Sequence, residues 1–582
     1  MIEPVLLLLA LGICTPLLGT YMARALSGGR TWLSPVLGPV ERALYRLSGI
    51  HPEGEMRWVA YAVSVLVFGF VSFAALYAML LLQALLPFNP QHLPGLRPDT
   101  AFNVAMSFVT NTDWQSYSGE ATLSYCSQMA GLAVQNFFSA GVGLAVAVAL
   151  FRAFTRKQMA TIGNFWVDLT RAWLYVLLPM ALLLAVILAS QGVVQTFEPY
   201  VAYVPLEQAG GQRQEAGGAS SSCLMPHASC LALGPVASQA AIKMIGSNGG
   251  GFFNANAAHP FENPTPLANF LQTLSILLIP AGLIYAFGVM AGDRRQGLAL
   301  LAAVTLLFVP LAALAVWQES QPNPTLYGLG LDQSAGNMEG KETRLGVPLS
   351  ALWATATTAT SNGSSNSAHD SYKPLAGMVQ LAMMQFGEVV FGGVGSGMYG
   401  LLLFVVITVF IGGLMVGRTP EYMGKKLGAF EIKMASTAII APCAVTLIGT
   451  AAALMLDAGR SGLANPGAHG LSEALYAFTS AANNNGSAFA GLNADSLFYN
   501  TWLGVTMFIG RYLVIVPVLA IAGSLSQRNT VPPSLGTMPT HTPLFVLMLV
   551  GVIVVVGLLT YAPALALGPV AEHLQLVGGS GV

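Results

Sequence analysis

Ten apolar stretches constrain this chain more than any motif in it. They lie near residues 3–23, 58–86, 127–151, 172–193, 267–290, 298–317, 378–416, 434–456, 499–525 and 543–567. A helix needs about 20 apolar residues to cross the hydrocarbon of a bilayer. Inside that solvent every backbone polar group must find a partner within the protein, which makes the helix the natural spanning element here. Only 8% of the 582 residues are charged, against about 25% in soluble domains. The expectation is an all-α polytopic membrane protein with ten transmembrane helices. The first stretch has no basic start and no clear small-residue cleavage site, so it reads as a span and not as a cleaved signal. A net charge of −1 suggests no nucleic-acid partner.

Basic residues give the orientation, because cytoplasmic loops carry the excess of lysine and arginine. One set of loops holds Arg24, Arg30, Arg42, Arg46, Arg57, Arg152, Arg156, Lys157, Arg171, Arg294, Arg295, Arg418, Lys425, Lys426, Lys433 and Arg528. The alternate loops hold only Arg97, Arg213, Lys243, Lys341, Arg344, Lys373 and Arg460. Arg511 falls inside a span. The richer side is expected to be cytoplasmic, with both termini outside. Cys223 and Cys230 share one long loop. They can form a disulfide if that loop is extracytoplasmic, or remain free thiols.

Four polar stretches interrupt the apolar pattern. Ser247-Asn248-Gly249-Gly250-Gly251 follows an expected short helix, Val236 to Gly246. Thr110-Asn111-Thr112 follows 100–109, Ser361-Asn362-Gly363 follows 349–360, and Asn484-Asn485-Gly486 follows 471–482. Asn, Gly, Ser and Thr let a chain turn sharply and present carbonyl oxygens. One such stretch alone reads as a surface turn. Four copies, each framed by spans, read as a repeat. Four loops around one axis can offer a ring of carbonyls in place of the water around a bare cation. Each short helix would also point its partly negative C-terminal end at that centre. The expected units are 1–57 (first span and cytoplasmic loop), four span–re-entrant helix–span repeats at 58–151, 172–290, 298–416 and 434–525, and a last span at 543–567.

Several longer stretches carry a family resemblance. They are 110–120 (TNTDWQSYSGE), 246–256 (GSNGGGFFNAN), 259–264 (HPFENP), 337–341 (NMEGK), 387–397 (GEVVFGGVGSG), 417–426 (GRTPEYMGKK) and 482–487 (ANNNGS). In these the chain closely resembles KdpA, the potassium-binding subunit family of bacterial Kdp potassium-transporting P-type ATPases, related to the Trk/Ktr/HKT transporters. The resemblance runs nearly end to end. It implies a subunit that selects extracytoplasmic K+ in a four-loop filter and passes it to a separate ATPase subunit, KdpB, which uses ATP. KdpC and KdpF would complete the complex in the lipid of the bacterial inner membrane. The implied filter residues are Asn111, Thr112, Asp113, Ser247, Asn248, Gly249, Ser361, Asn362, Gly363, Asn484, Asn485 and Gly486, with Gln115 at the pore mouth. Two positions depart from the family pattern: Asp113 stands where Asn is expected, and Asn362-Gly363 where Cys-Gly is expected. The Asp113 charge can strengthen cation attraction, or it can point away and be capped by backbone donors.

No enzyme motif is present: there is no Asp-Lys-Thr-Gly phosphorylation site and no phosphate loop, since 417–426 has the wrong glycine spacing. The chain is expected to be non-catalytic by itself. A stand-alone channel or transporter of the Trk/Ktr type is the alternative reading. Glycines 387, 392, 393, 395, 397 and 400 crowd the seventh span. That density predicts a broken helix, as in spans that line cavities and gates. The resemblance makes it the gate beneath the filter, with Glu388, Gly392, Gly393 and Arg511. Two charges within apolar spans suggest that Glu388 and Arg511 pair.

Overall fold

The computed structural model describes residues 2–202, 230–532 and 537–578. Cys223 lies outside the described residues, and with it the question of its pairing with Cys230. Among the described residues, ten helices are long and apolar enough to cross a membrane. Among the described residues the only strands are two antiparallel ribbons, Val201–Ala202 with Cys230–Leu231 and Glu421–Tyr422 with Lys425–Lys426. The fold is all-α.

In chain order the main helices are α1 (Ile2–Leu26), α2 (Ser34–Leu47), α3 (Trp58–Leu81), α4 (Pro98–Val109), α5 (Ser127–Thr155) and α6 (Phe165–Ser190). There follow α7 (Val236–Gly246), α8 (Pro266–Met290), α9 (Arg294–Ser320), α10 (Gly346–Ala359), α11 (Pro374–Gln385) and α12 (Ser396–Val416). The chain continues through α13 (Ala429–Met455), α14 (Gly467–Ala482), α15 (Leu497–Gln527), α16 (Pro543–Leu565) and α17 (Ala571–Gly578).

Burial sorts the long helices into an inner and an outer set. The most apolar windows of α5, α8, α15 and α12 are 83%, 72%, 67% and 56% buried. Those of α3, α6, α9 and α13 are only 33%, 44%, 44% and 28% buried. Each inner helix comes after one of the short helices α4, α7, α10 and α14, and each outer helix comes before. The chain therefore writes outer, short, inner four times. The short helices are themselves largely buried, as Phe108, Met244, Trp353 and Phe478 illustrate. The first span, α1, lies along α8. Their contact depends on Gly19, where a Cβ would come within 2.6 Å of the Gly282 carbonyl.

The seventh expected span needs correction. The stretch 378–416 is not one crossing: the crossing helix is α12, and α11 is a separate short helix. Between them the backbone turns left-handed at Gly387, Glu388, Phe391, Gly392 and Gly395. Such turns are cheap for glycine and costly for other residues. The break is packed and specific. A Cβ on Gly395 would meet the Gly143 carbonyl carbon of α5 at 2.0 Å, and one on Gly392 would meet Gly397 Cα at 2.1 Å. The Gly392 N–H donates to Ala359 O, at the end of α10, at 3.1 Å.

A polar clasp ties the C-terminal helix to the rest. His469, near the start of α14, is held at Nδ1 by Glu572 of α17 (2.8 Å) and at Nε2 by Asp370 (2.9 Å). Asp370 also accepts the Gly491 N–H at 2.9 Å. Burial opposes the imidazolium charge, but the two carboxylates outweigh it and push the His469 pKa up to about 10. A histidine whose pKa rises on folding stabilises the fold fully below its ordinary value of about 6.5 and loses that contribution as pH climbs through the folded value. Thermal stability of the purified protein should therefore fall as pH rises from about 6.5 to about 10. In His469→Gln that slope should flatten. An unchanged slope in the variant would show that the clasp does not titrate.

Candidate functional site

The four polar stretches meet. Each follows a short helix and has its first left-handed residue at Asn111 (φ 67°), Ser247 (52°), Ser361 (54°) or Asn484 (57°). These first residues then bond from loop to loop. Asn111 Nδ2 donates to Ser247 O at 2.8 Å, and Ser247 Oγ donates to Thr360 O at 3.0 Å. Ser361 Oγ donates to Asn484 O at 2.8 Å, and Asn484 Nδ2 donates to Thr112 Oγ1 at 2.9 Å. Loop 1 reaches loop 2, loop 2 reaches loop 3, loop 3 reaches loop 4, and loop 4 returns to loop 1.

One residue further on, the side chains turn back into the protein. Asn362 Oδ1 accepts the Ser364 N–H at 3.1 Å, and Asn485 Oδ1 accepts the Ser487 N–H at 3.1 Å. Asn485 Nδ2 donates to Thr357 O at 3.0 Å. Asn362 Nδ2 has no such partner, and at these positions the main chains of the loops lie against one another. A Cβ on Gly486 would lie 1.9 Å from Thr112 O, one on Gly363 would lie 2.0 Å from Asn485 O, and one on Gly249 would lie 2.9 Å from Asn362 O. Thr112 O is also 3.2 Å from the Gly249 Cβ position, so this carbonyl faces both neighbouring loops. Gly363 and Gly486 are left-handed as well (φ 80° and 100°), so two independent constraints demand glycine there.

Asp113 is fully buried and belongs to the support of the ring. Its Oδ2 accepts from Asn248 Nδ2 at 2.8 Å. The Asn136 amide, with its nitrogen turned toward Asp113, donates to Oδ1 at 2.8 Å. A backbone donor at Gly249 joins these side-chain amides in capping the carboxylate. Gln115 clamps loop 1 to loop 2: its Oε1 accepts the Gly251 N–H at 2.9 Å, and its Nε2 donates to Gly251 O at 3.1 Å. It lines a cavity of about 450 Å³, together with Asn254, Ser365, Gly486 and Ser487.

Glu388, Ser396, Tyr399, Asn484 and Arg511 line a second, smaller cavity of about 80 Å³. Gly393 lies against loop 3, its Cβ position 3.0 Å from Ser361 Cβ. The expected Glu388–Arg511 ion pair is not formed. Arg511 Nη2 donates to Ser139 O of α5 at 2.9 Å, and neither Glu388 carboxylate oxygen has a hydrogen-bond partner. Both residues share the cavity wall, but the α5 carbonyl captures the guanidinium first. Ser139 Oγ in turn donates to Asn111 Oδ1 at 2.8 Å, so Arg511 is connected to loop 1.

Sequence reasoning missed Asn136 and Ser139, which carry no motif and look like ordinary polar residues in a span. It also missed what 259–264 and 337–341 do. Glu262 pairs with Lys243, and Lys341 pairs with Glu319, all four deeply buried.

The model of the family "Potassium-transporting ATPase A subunit" matches residues 5–574. The chain belongs to this family. A relative from Methylococcus capsulatus named "Potassium-transporting ATPase potassium-binding subunit" is 58% identical over 572 residues, 96% of each chain. One of the same name from Sorangium cellulosum is 57% identical over 582 residues, 99% of each chain. Among solved structures, the potassium transporter TrkH from Vibrio parahaemolyticus matches with a TM-score of 0.50 at 16% identity, covering 80% of this chain and 85% of that one. That likeness concerns the fold alone.

Proposed function

We propose that this chain is the potassium-binding and translocating subunit of an ATP-driven potassium uptake complex, with the four loops as its selectivity filter. The observation that carries the reading is the closed cycle of hydrogen bonds through Asn111, Ser247, Ser361 and Asn484. Side chains hold the loops to one another, which leaves the main-chain oxygens of Thr112, Asn362 and Asn485 to replace the hydration shell of K+. The short helices α4, α7, α10 and α14 are re-entrant from outside in this reading, and their C-terminal ends favour a cation at the centre. Irregular backbone at membrane depth is tolerated because it is buried or lines water. The termini lie outside the cytoplasmic membrane. The larger cavity is the outer vestibule, and the glycine-broken turn with Glu388, Gly392 and Gly393 closes the path below the filter.

ATP hydrolysis belongs to a partner P-type ATPase subunit, of the kind the resemblance names KdpB, with KdpC and KdpF as further subunits. The direct test is purification from native membranes. A P-type ATPase chain should copurify, with potassium-stimulated ATP hydrolysis in the complex and none in this chain alone. ATP hydrolysis by a verified partner-free sample, or passive potassium current through it, would contradict the assignment.

Gln115 offers a quantitative check. An arginine there would place a positive charge in a low-dielectric vestibule and break the clamp on Gly251. Gln115→Arg should raise the potassium concentration for half-maximal transport by at least about tenfold, equivalent to about 1.4 kcal/mol. An unmoved half-saturation would take Gln115 off the access path.

A further inference from the structure

Loop 2 differs from its three counterparts. After the left-handed first residue, the next left-handed residue comes two positions later in the others, at Asp113, Gly363 and Gly486. In loop 2 it comes three positions later, at Gly250 (φ 66°). The loop therefore carries one more carbonyl before it leaves the ring. That carbonyl is taken: Lys243 Nζ donates to Gly250 O at 2.9 Å, and Asn256 Nδ2 donates to it at 2.6 Å. Lys243 lies on α7, one turn before Ser247. Its ammonium also donates to Asn256 Oδ1 at 2.6 Å and pairs with the carboxylate of Glu262. Lys243 and Glu262 are both about 1% exposed. A Cβ on Gly251 would come within 3.0–3.2 Å of Glu262 Oε2, Lys243 Nζ and Asn256 Nδ2, so the loop lies directly against this network.

The second buried pair makes a useful contrast. Lys341 Nζ lies 2.7 Å from Glu319 Oε2. It also donates to Glu339 O and sits over the Tyr372 ring. None of these partners is a loop residue of the ring.

We propose that Lys243, supported by Glu262 and Asn256, is a positioning residue for ion discrimination. It withdraws the Gly250 carbonyl from the oxygens available to the ion and fixes the path of Ser247–Gly249. The inference rests on the filter reading of the four loops. A buried lysine is well suited to the task. Its three donors satisfy one carbonyl, one amide and one carboxylate at once, and its charge is neutralised by Glu262 and so adds no net repulsion to a passing cation.

The test uses the assembled complex and compares stimulation of ATP hydrolysis by K+, Rb+ and NH4+. The decisive variant is Lys243→Met with Glu262→Gln, which removes the donor without leaving a net charge. Loss of a hydrogen bond to a charged donor is expected to raise half-saturating K+ about tenfold and to narrow the preference for K+ over Rb+. The control pair Lys341→Met with Glu319→Gln should keep the wild-type ion preference at whatever yield it assembles. Gly249→Asp reports on the filter itself and should degrade the preference. Wild-type half-saturation and preference in the Lys243/Glu262 variant, with Gly249→Asp impaired, would overturn the inference while sparing the filter. Failure of that variant to assemble, where the control pair assembles, would also overturn it, because the network would then serve the fold. An unchanged preference in Gly249→Asp would bring down the filter reading, and this inference with it.

Discussion

Gly486→Ala is expected to abolish potassium-stimulated ATP hydrolysis in a complex that still assembles. The added Cβ would lie 1.9 Å from Thr112 O, at a φ of 100°. The left-handed backbone alone costs about 1–2 kcal/mol for a residue with a Cβ. The clash cannot be relieved by swinging a side chain, since the opposing atom is backbone. Thr112 O must move by an ångström or more, and displacements of that size in a positioned site cost roughly 100-fold. Thr112 is held in turn by Asn484, so the disturbance enters the ring at two points. The measurement is ATP hydrolysis against potassium concentration, with assembly verified by copurification. Activity within threefold of wild type would mean that the Thr112–Gly486 contact lies outside the ion path.

Arg511→Gln should cause the second large loss, and its partner should not be Glu388. Arg511 is 4% exposed, its guanidinium donates to Ser139 O, and its charge bears on Asp113. Hydrogen bonds to charged groups are worth about 1.5–3 kcal/mol, so a drop of at least tenfold in potassium-stimulated activity is expected from about 1.4 kcal/mol per decade. A double-mutant cycle identifies the partner. Arg511→Gln with Glu388→Gln should be additive within about 0.5 kcal/mol, as for residues that do not meet. Arg511→Gln with Asp113→Asn should be non-additive, by more than about 0.5 kcal/mol. The reverse pattern would show that the ion pair forms in the working complex.

Much of the fold could be read from the sequence because apolar length and polar interruption are one-dimensional signals. The helix at Val236–Gly246 ends where Ser247-Asn248-Gly249 begins, as expected for residues that leave a helix readily. The glycine cluster at 387–400 announced a break, and the break occurs at 386–395. Direction around a helix axis was harder to read. Two charges within apolar spans suggest a pair, but a place within a span does not fix azimuth, and Arg511 turns toward α5. Solvation is not legible from a charge count either: Lys243 and Lys341 belong to the sparser set of loop charges, and both are buried in ion pairs. A lysine in a polar segment looks solvated until its carboxylate partner is found, and that partner lies 19 or 22 positions away. Nothing local distinguishes Ser139, which joins Arg511 to loop 1, from a polar residue facing a neighbouring helix.

The central claim is that an ion sits where the four loops meet. Anomalous diffraction from crystals of the assembled complex grown in Rb+ or Tl+ tests it most directly. The account predicts a peak enclosed by loops 110–113, 247–249, 361–363 and 484–486, contacted by main-chain oxygens including Thr112 O, and lost in Gly486→Ala. A strongest peak elsewhere in the chain, or a peak in the ring that persists unchanged in Gly486→Ala, would contradict it.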